Sequence, residues 1–164
     1  MEVESVLVTG ANRGIGLEFV KQLLQLRSHL TMCLPPIETI KQHRALEEVK
    51  EAHKQTHVVL IKMDIEKTNE IENAKKIVEG IVGDKGLNLL INNAGILKIQ
   101  VFREITEENL LRHFSTNTIG PVMVLKEMLP LLQKSAARKT SGMNISRAAV
   151  LNLSATLGSI SLPE

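Results

Sequence analysis

The sequence predicts an α/β fold built on a doubly wound parallel sheet, and three observations support this. Short apolar runs alternate with longer amphipathic segments along the 164 residues. A glycine-rich turn, Gly10–Gly16, directly follows the first run, and polar residues follow later runs. Strands that alternate with helices form right-handed parallel units. We expect five strands in the order 3-2-1-4-5 within one domain of residues 1–164, with the C-terminal strands of a complete sheet of this kind missing.

Two strands and a helix are predicted at the start of the chain. The short, largely apolar run Val3–Val8 ends at Thr9 and Gly10, which is typical of a buried strand. The segment Ile15–Leu26 predicts a helix, because apolar residues recur at helical spacing at Ile15, Phe19, Leu23 and Leu26. Leu30–Leu34 is a weaker strand, closed by Pro35 and Pro36.

The alternation continues through the middle of the chain. Ile37–His53 predicts a charged amphipathic helix, and Val58–Met63 a β-branched strand. Thr68 is the expected N-cap of a helix that ends near Val82, before Gly83 and Gly86. The face of this helix expected to be buried consists of Ile71, Ala74, Ile77, Val78 and Ile81.

The last part of the chain predicts two further strands, Leu87–Ile91 and Ala149–Leu153, on either side of a long helix. This helix is expected over Thr106–Gln133, with Thr106 as its cap. Pro121 should kink or restart it, because proline lacks the backbone N–H. The polar segment Lys134–Arg147 is expected to be a loop.

Composition excludes several classes of protein. Hydrophobic residues make up 43% and charged residues 23%, which favours a packed domain over disorder. The net charge of +2 does not indicate a nucleic-acid partner. The single Cys33 excludes an internal disulfide and a cysteine zinc site, and we expect no metal. The start of the chain lacks signal-peptide features, and no apolar run is long enough to span a membrane. We therefore expect a cytoplasmic protein without a membrane partner.

The glycine-rich turn predicts a nucleotide-binding loop. A helix that begins after the first strand presents free N–H groups and a positive dipole end to a pyrophosphate. Gly10 permits the tight turn, Gly14 lets the backbone approach a phosphate, and Gly16 lets the helix pack closely on the sheet. The alternative is a glycine turn that only joins a strand to a helix. Arg13 is placed to pair with a ribose 2′-phosphate, which favours NADP, with NAD as the alternative.

Three motifs together resemble a known family. They are Thr9–Gly16 (TGANRGIG), Asn92–Gly95 (NNAG) and the sequence NTIGPV that begins at Asn117. They are similar to motifs of the short-chain dehydrogenase/reductases, and Leu87–Ile96 and Val150–Ile160 resemble the C-factor/sniffer-type carbonyl reductases. The resemblance implies NAD(P)(H)-linked reduction of a small-molecule carbonyl substrate, whose identity the sequence does not reveal.

The resemblance also implies a role for each motif residue. The phosphates and adenosine of the cofactor would be held by Gly10, Asn12, Arg13, Gly14, Ile15 and Gly16. Asp64 would face the adenine, and Asn117 would be the active-site asparagine that maintains a proton-relay water at a helix kink. The sheet centre and the cofactor ribose would be supported by Asn92, Asn93, Ala94 and Gly95. Turn and cap roles are the alternative for Asp64 and Asn92.

The sequence departs from the family pattern at three places. Leu34 ends the second strand where the family usually carries a basic residue. Ala155 occupies the position of the catalytic serine, so Ser154 is the candidate serine, although a one-residue shift along a strand turns a side chain to the other face. The chain contains no Tyr, so the Tyr-x-x-x-Lys pair of the family is absent.

The missing tyrosine decides the expected activity, because in the family its hydroxyl is the general acid. We expect a truncated reductase, as a natural short form or an incomplete sequence, that is inactive as this chain alone. The alternative is a non-catalytic cofactor-binding or regulatory fragment that associates with a full-length relative. Homo- or hetero-oligomerisation through helix Thr106–Gln133 would use Leu110, Phe114, Val124, Leu125, Met128 and Leu132. His113, one turn before Asn117, is interpreted as a helix-surface residue.

Overall fold

A parallel sheet forms the centre of the computed structural model, which describes residues 3–26, 31–34, 48, 51, 58–138, 142, 144–155 and 158. Its strands run in the order β3-β2-β1-β4-β5, and all neighbours are parallel. The strands are β1 Ser5–Val8, β2 Thr31–Leu34, β3 Val58–Leu60, β4 Leu89–Asn92 and β5 Ala149–Asn152. The helices are α1 Gly14–Leu26, α2 Thr68–Val82, α3 Glu107–Phe114 and α4 Gly120–Ala137. Short 3-10 turns lie at Gly83–Lys85 and Phe102–Glu104.

Successive strand residues point to opposite faces of the sheet, and helices cover both faces. Leu7 and Leu90 pack with α2 and α4. Val6 and Ile91 pack on the other face with α1. Burying a large aliphatic side chain stabilises a fold by roughly 1.5–3 kcal/mol, so this two-sided core accounts for the apolar runs that predict the strands.

The buried face of α1 differs from the expected one. Val20 and Leu24 are buried, whereas Ile15 is 66% exposed. Of the predicted residues, Leu23 packs against the core and Phe19 is half-buried. The centre of the packed face is therefore offset by one residue from the predicted one. The physical reason is Gly16, because a Cβ at this position would overlap the carbonyl oxygen of Gly10. The helix approaches the sheet through Gly16, and Val20 and Leu24 follow it at four-residue intervals on the same face.

Helix α2 has the predicted range but differs in its cap and in part of its face. Thr68 is the first helical residue and not the cap, and Lys67 occupies the cap position without a side-chain cap bond. The carboxylate of Glu70, in the first turn, instead accepts from the N–H of Asp64 in the preceding segment, at 2.9 Å. Ile77 is 45% exposed, because the buried face follows Ile71, Ala74, Val78 and Val82.

The predicted long helix is present with its irregularity earlier than expected. Thr106 caps it by accepting from the N–H of Asn109 at 3.2 Å. A π turn, Ser115–Ile119, joins α3 to α4. Pro121 lies in the first turn of α4 and lacks the N–H that would bond to the carbonyl of residue 117, so the ladder is disturbed before the proline. Helix α4 ends at Ala137, and Lys134–Ala137 is helical where a loop is expected.

The apolar side chains expected on the surface of the long helix are divided between core and surface. Val124, Met128 and Leu132 are buried against the sheet, so they are not available to a partner. Leu110 and Phe114 on α3 are exposed. Within the residues that the structure describes, no helix is long and apolar enough to cross a membrane. The predicted helix Ile37–His53 lies outside those residues apart from positions 48 and 51.

Candidate functional site

The turn after β1 brings its glycines against the turn after β4. Gly10 has a positive φ of 64°, and a Cβ there would lie 2.8 Å from the Cα of Ala94. A Cβ on Gly16 would overlap both the Gly10 carbonyl oxygen and the side-chain amide of Asn93. Gly10 and Gly16 are therefore required for packing between the two turns, as the sequence predicts for a tight turn and a close helix approach.

Gly14 is different, because it faces open space. Its φ is 54°, and a Cβ built on it meets no other atom within 4 Å. Gly14 begins α1, and the first backbone bond there is from the N–H of Leu17 to the carbonyl of Arg13, at 3.2 Å. The N–H groups of the first turn of a helix have no acceptor within the helix, and the dipole favours an anion there. Gly14 and the N–H groups of the first turn of α1 thus form an open cradle, and this cradle fits the pyrophosphate of a dinucleotide.

Two neighbours of Gly14 in the loop have exposed side chains, Arg13 and Ile15. The guanidinium of Arg13 forms no ion pair with the residues that the structure describes. Asn12 is half-buried and makes an interaction within the protein. The cradle therefore carries an exposed cation beside an exposed apolar side chain, which is an environment that suits a phosphorylated nucleoside.

A second group of contacts locks the NNAG turn to β1. The hydroxyl of Thr9 accepts from the N–H groups of Asn93 and Ala94, both at 3.0 Å. The side-chain amide of Asn93 donates to the carbonyls of Thr9 at 2.9 Å and Gly10 at 3.0 Å. Thr9 is not among the site residues predicted from the sequence. Its position directly before the glycine loop is the signal that identifies it.

Asn92 joins the ends of β4 and β5. Its side-chain N–H donates to the amide oxygen of Asn152 at 2.9 Å, and its backbone carbonyl accepts from Leu153 at 2.9 Å. Asn92 is buried, and its Oδ1 has no hydrogen-bond partner among the residues that the structure describes. Asn152 was not predicted as a site residue, although it is the β5 counterpart of Asn92 in the strand register.

Asn117 lies in the π turn between α3 and α4 and bonds to the segment after the NNAG turn. Its Oδ1 accepts from the N–H of Ile96, and its Nδ2 donates to the carbonyl of the same residue, both at 2.9 Å. A Cβ on Gly95 would lie 3.2 Å from Asn117 Oδ1. The structure therefore brings together Asn117 and Gly95, two residues that the sequence analysis assigned to the same site.

The π turn is held from its other side by two contacts that the sequence did not predict. The hydroxyl of Thr116, which is buried, donates to the carboxylate of Glu66 at 2.8 Å. A Cβ on Gly120 would lie 2.9 Å from the side chain of Ile65. Both partners belong to the segment after β3, so no local pattern identifies these contacts.

Asp64 lies four residues after β3 rather than at its end, because the strand stops at Leu60. Its carboxylate accepts from the N–H of Glu66 at 3.0 Å and pairs with Lys67 at 3.1 Å. Burial acts to raise the pKa of Asp64, but the Glu66 N–H and the Lys67 ammonium outweigh it, so the pKa lies below its usual range. Asp64 therefore has a turn role in the structure, and its contact with an adenine stays a prediction.

Ser154 follows β5 by two residues and is exposed. A Cβ on Gly158 would lie 2.6 Å from its hydroxyl, and the N–H of Gly158 donates to the carbonyl of Ala155 at 2.8 Å. Ser154 and Ala155 therefore belong to a turn beyond the carboxyl end of the sheet.

No group of three His, Cys, Asp or Glu side chains in the described part of the chain could hold a metal ion.

Comparison with known families gives one match that covers nearly all of the chain. The family model described as short chain dehydrogenase matches residues 4–157. Mouse estradiol 17-beta-dehydrogenase 2 is 32% identical over 139 residues, which are 84% of this chain and 35% of that protein. The 3-amino-tetrahydro-pyrrolizinone reductase of Xenorhabdus hominickii is 28% identical over 99% of this chain and 49% of its own length.

Solved structures resemble the chain over nearly its whole length. The NADPH-bound carbonyl reductase from chicken fatty liver has a TM-score of 0.88 and 35% identity, over 98% of this chain and 60% of that one. The carbonyl reductase Sniffer of D. melanogaster has a TM-score of 0.87 and 35% identity, over 97% of this chain and 64% of that one. The chain thus spans less than two thirds of these relatives.

Proposed function

Because the chain belongs to the short-chain dehydrogenase/reductase family, we propose that it is an NADP(H)-binding protein of the carbonyl reductase type. The observation that carries this proposal is the cradle at the start of α1, where Gly14 leaves space open beside the N–H groups of the first turn. When bound, NADPH would supply the hydride for carbonyl reduction. The remaining chemistry depends on the residues of this chain.

The residues of the site would divide binding and positioning between them. The first turn of α1, with Gly14 and Ile15, would hold the pyrophosphate. Asn93, Ala94 and Gly95 would line the ribose, because Thr9 fixes the backbone of this turn. Asn117 would hold a proton-relay water from the π turn, with Ser154 as the candidate hydroxyl group near the carbonyl substrate.

NADP is proposed over NAD on account of Arg13. Its guanidinium is exposed within the phosphate loop and carries a fixed positive charge. Arginine recognises phosphate through paired hydrogen bonds, and a 2′-phosphate distinguishes NADP from NAD. The chicken carbonyl reductase was solved with NADPH, which supports the same choice. NAD remains the alternative, because Leu34 ends β2 without a basic side chain.

The 164 residues contain no tyrosine, so this chain has no phenolic proton donor for the reduced carbonyl. We therefore propose that the chain alone binds NADPH without catalysing turnover. The test is to follow NADPH absorbance with a reactive aldehyde at rising protein concentration. The expected rate is that of the protein-free control. Consumption proportional to the concentration of the chain would overturn the proposed inactivity.

A second candidate function is association with a full-length relative or with a second copy of the chain. Leu110, Leu111 and Phe114 expose apolar surface on α3, and contiguous exposed apolar surface is typical of interaction sites. Light scattering of the chain, alone and with a full-length carbonyl reductase, tests this candidate. A strictly monomeric chain in both samples would contradict it.

We also propose a cytoplasmic location. The single Cys33 supports it, because one cysteine cannot form the internal disulfides that are common in oxidising compartments.

A further inference from the structure

Three side chains at four-residue intervals bond to the segment Ile96–Gln100. Asn117 binds both backbone groups of Ile96, as described above. One turn earlier, His113 Nε2 accepts from the N–H of Lys98 at 2.9 Å. One further turn back, Asn109 Nδ2 donates to the side chain of Gln100 at 2.5 Å and to the carbonyl of Lys98 at 3.4 Å. The segment thus runs along one face of α3 and the π turn.

This segment is held mainly by hydrogen bonds. Burial of apolar side chains contributes little to its attachment. Leu97 is 73% exposed and Ile99 is 84% exposed, so the two apolar side chains flanking Lys98 remain largely in water. The points of attachment are the backbone groups of Ile96 and Lys98 and the side chain of Gln100. His113 is therefore the middle of three attachments and the one that binds the N–H of Lys98.

The two contacts of His113 determine its protonation state. Its Nδ1 lies 2.7 Å from the carbonyl oxygen of Asn109, and a carbonyl only accepts, so Nδ1 carries the hydrogen. Its Nε2 faces the N–H of Lys98, which only donates, so Nε2 has a free lone pair. Only the neutral imidazole with hydrogen on Nδ1 satisfies both contacts. A second proton would occupy the lone pair that binds Lys98.

We infer that His113, in its neutral form with hydrogen on Nδ1, is a positioning residue that keeps the segment Ile96–Gln100 docked on α3. This inference rests on the proposed function, because the segment directly follows Ala94 and Gly95, which would line the cofactor ribose. His113 does not touch the proposed cofactor site. It acts through the backbone of Lys98. Its loss would weaken the docking of Ile96–Gln100 beside the proposed cofactor site but would remove no group that binds the cofactor.

Two variants separate the acceptor role of His113 from its bulk. His113→Gln retains a side-chain oxygen that can accept from Lys98, whereas His113→Phe retains the ring and lacks any acceptor. Amide hydrogen exchange in the cofactor-free protein reports the Lys98 N–H directly. We expect exchange about 10-fold faster in His113→Phe and within about 3-fold of the unsubstituted chain in His113→Gln, as expected for one net hydrogen bond. Slow exchange at Leu90 in β4 shows that each variant is folded.

The result that supports the inference is therefore a Lys98 amide that exchanges faster in His113→Phe but not in His113→Gln. Nitrogen chemical shifts of the imidazole should also show hydrogen on Nδ1 near neutral pH. Equal exchange in both variants, or hydrogen on Nε2, would overturn it. Titration with NADPH is a separate readout, so absence of binding would contradict the proposed function while the exchange data still decide the role of His113.

Discussion

Asn117 binds Ile96 through both ends of its side-chain amide, each at 2.9 Å. The pair connects the π turn to the segment after the NNAG turn, and so joins two elements separated in the fold. Only an amide can donate and accept in this way, because a carboxylate has no donor. The relationship makes Asn117 a structural contact as well as the proposed active-site asparagine.

The first prediction concerns this amide. Asn117→Asp should retain the bond from the Ile96 N–H but place two oxygens against each other at the Ile96 carbonyl. We expect a loss of about 1–3 kcal/mol in the free energy of unfolding, measured by urea denaturation. Asn144→Asp is the matched control. Within the described residues the Asn144 side chain bonds only through its Oδ1, which accepts from Ser146, and aspartate keeps that acceptor. Equal stability of the two variants would contradict the two-ended contact.

The second prediction concerns the packing of the glycine loop. Gly16→Ala should destabilise the protein by about 1–3 kcal/mol and abolish NADPH binding, because the new Cβ overlaps the Gly10 carbonyl and the Asn93 amide. Gly80→Ala in α2 is the control, since a Cβ there meets nothing within 4 Å. It should stabilise the helix by about 0.5–1 kcal/mol. Thermal unfolding and a binding titration of both variants check the contrast.

The third prediction concerns cofactor choice. Arg13→Gln should weaken NADPH binding by about 10-fold or more and leave NADH binding almost unchanged, since hydrogen bonds to charged groups contribute about 1.5–3 kcal/mol. Lys76→Gln makes the same charge change on α2 and should alter neither affinity. The ratio of the two dissociation constants is the quantity to measure. A ratio unaffected by Arg13→Gln would assign the 2′-phosphate to another residue or the preference to NAD.

The fourth prediction concerns acid stability at the turn after β3. The Asp64 N–H, with help from the Lys67 ammonium, holds the pKa of Glu70 below its usual range, and the pKa of Asp64 is also lowered. Carboxylates with a lowered pKa stabilise the fold above their unfolded pKa, and the contribution is lost as pH falls through the folded value. The urea concentration at the midpoint of unfolding should therefore fall as the pH is lowered below about 4.

Asp64→Asn should reduce the steepness of that acid loss, because the carboxylate that binds the Glu66 N–H and Lys67 is gone. Glu72→Gln serves as its control, since Glu72 is exposed on α2 and forms no ion pair within the described part of the chain. The two variants should differ in the slope of stability against pH. Indistinguishable slopes would show that the Asp64 contacts do not contribute to stability.

The sequence predicted the elements that depend on local pattern and missed those set by distant contacts. The apolar runs locate the strands because both faces of the sheet are covered, and the glycine spacing locates the turn after β1. The offset of the α1 face depends on the approach of Gly16 to Gly10, which periodicity does not contain. The π turn depends on Glu66 and Ile65, which lie about 50 residues away.

The candidate site follows the same division. Gly10, Gly16, Asn93 and Asn117 are motif residues, and the structure gives each a contact that only its side chain, or the absence of one, allows. The turn role that the sequence offers as an alternative for Asp64 is seen in the bond from the Glu66 N–H to its carboxylate. Its contact with an adenine stays a prediction. His113 lies on the helix surface, and there it bonds to Lys98, a contact that no spacing in the sequence reveals.

The most direct test of the account is a fluorescence titration of the 164-residue chain with NADPH, repeated with NADH. The account predicts saturable binding of one NADPH per chain with a dissociation constant below about 100 μM, equivalent to about −5.5 kcal/mol, and weaker binding of NADH. Absence of saturable NADPH binding up to about 1 mM, by a chain whose β4 amides are protected from exchange, would contradict the assignment of the glycine loop as a cofactor site.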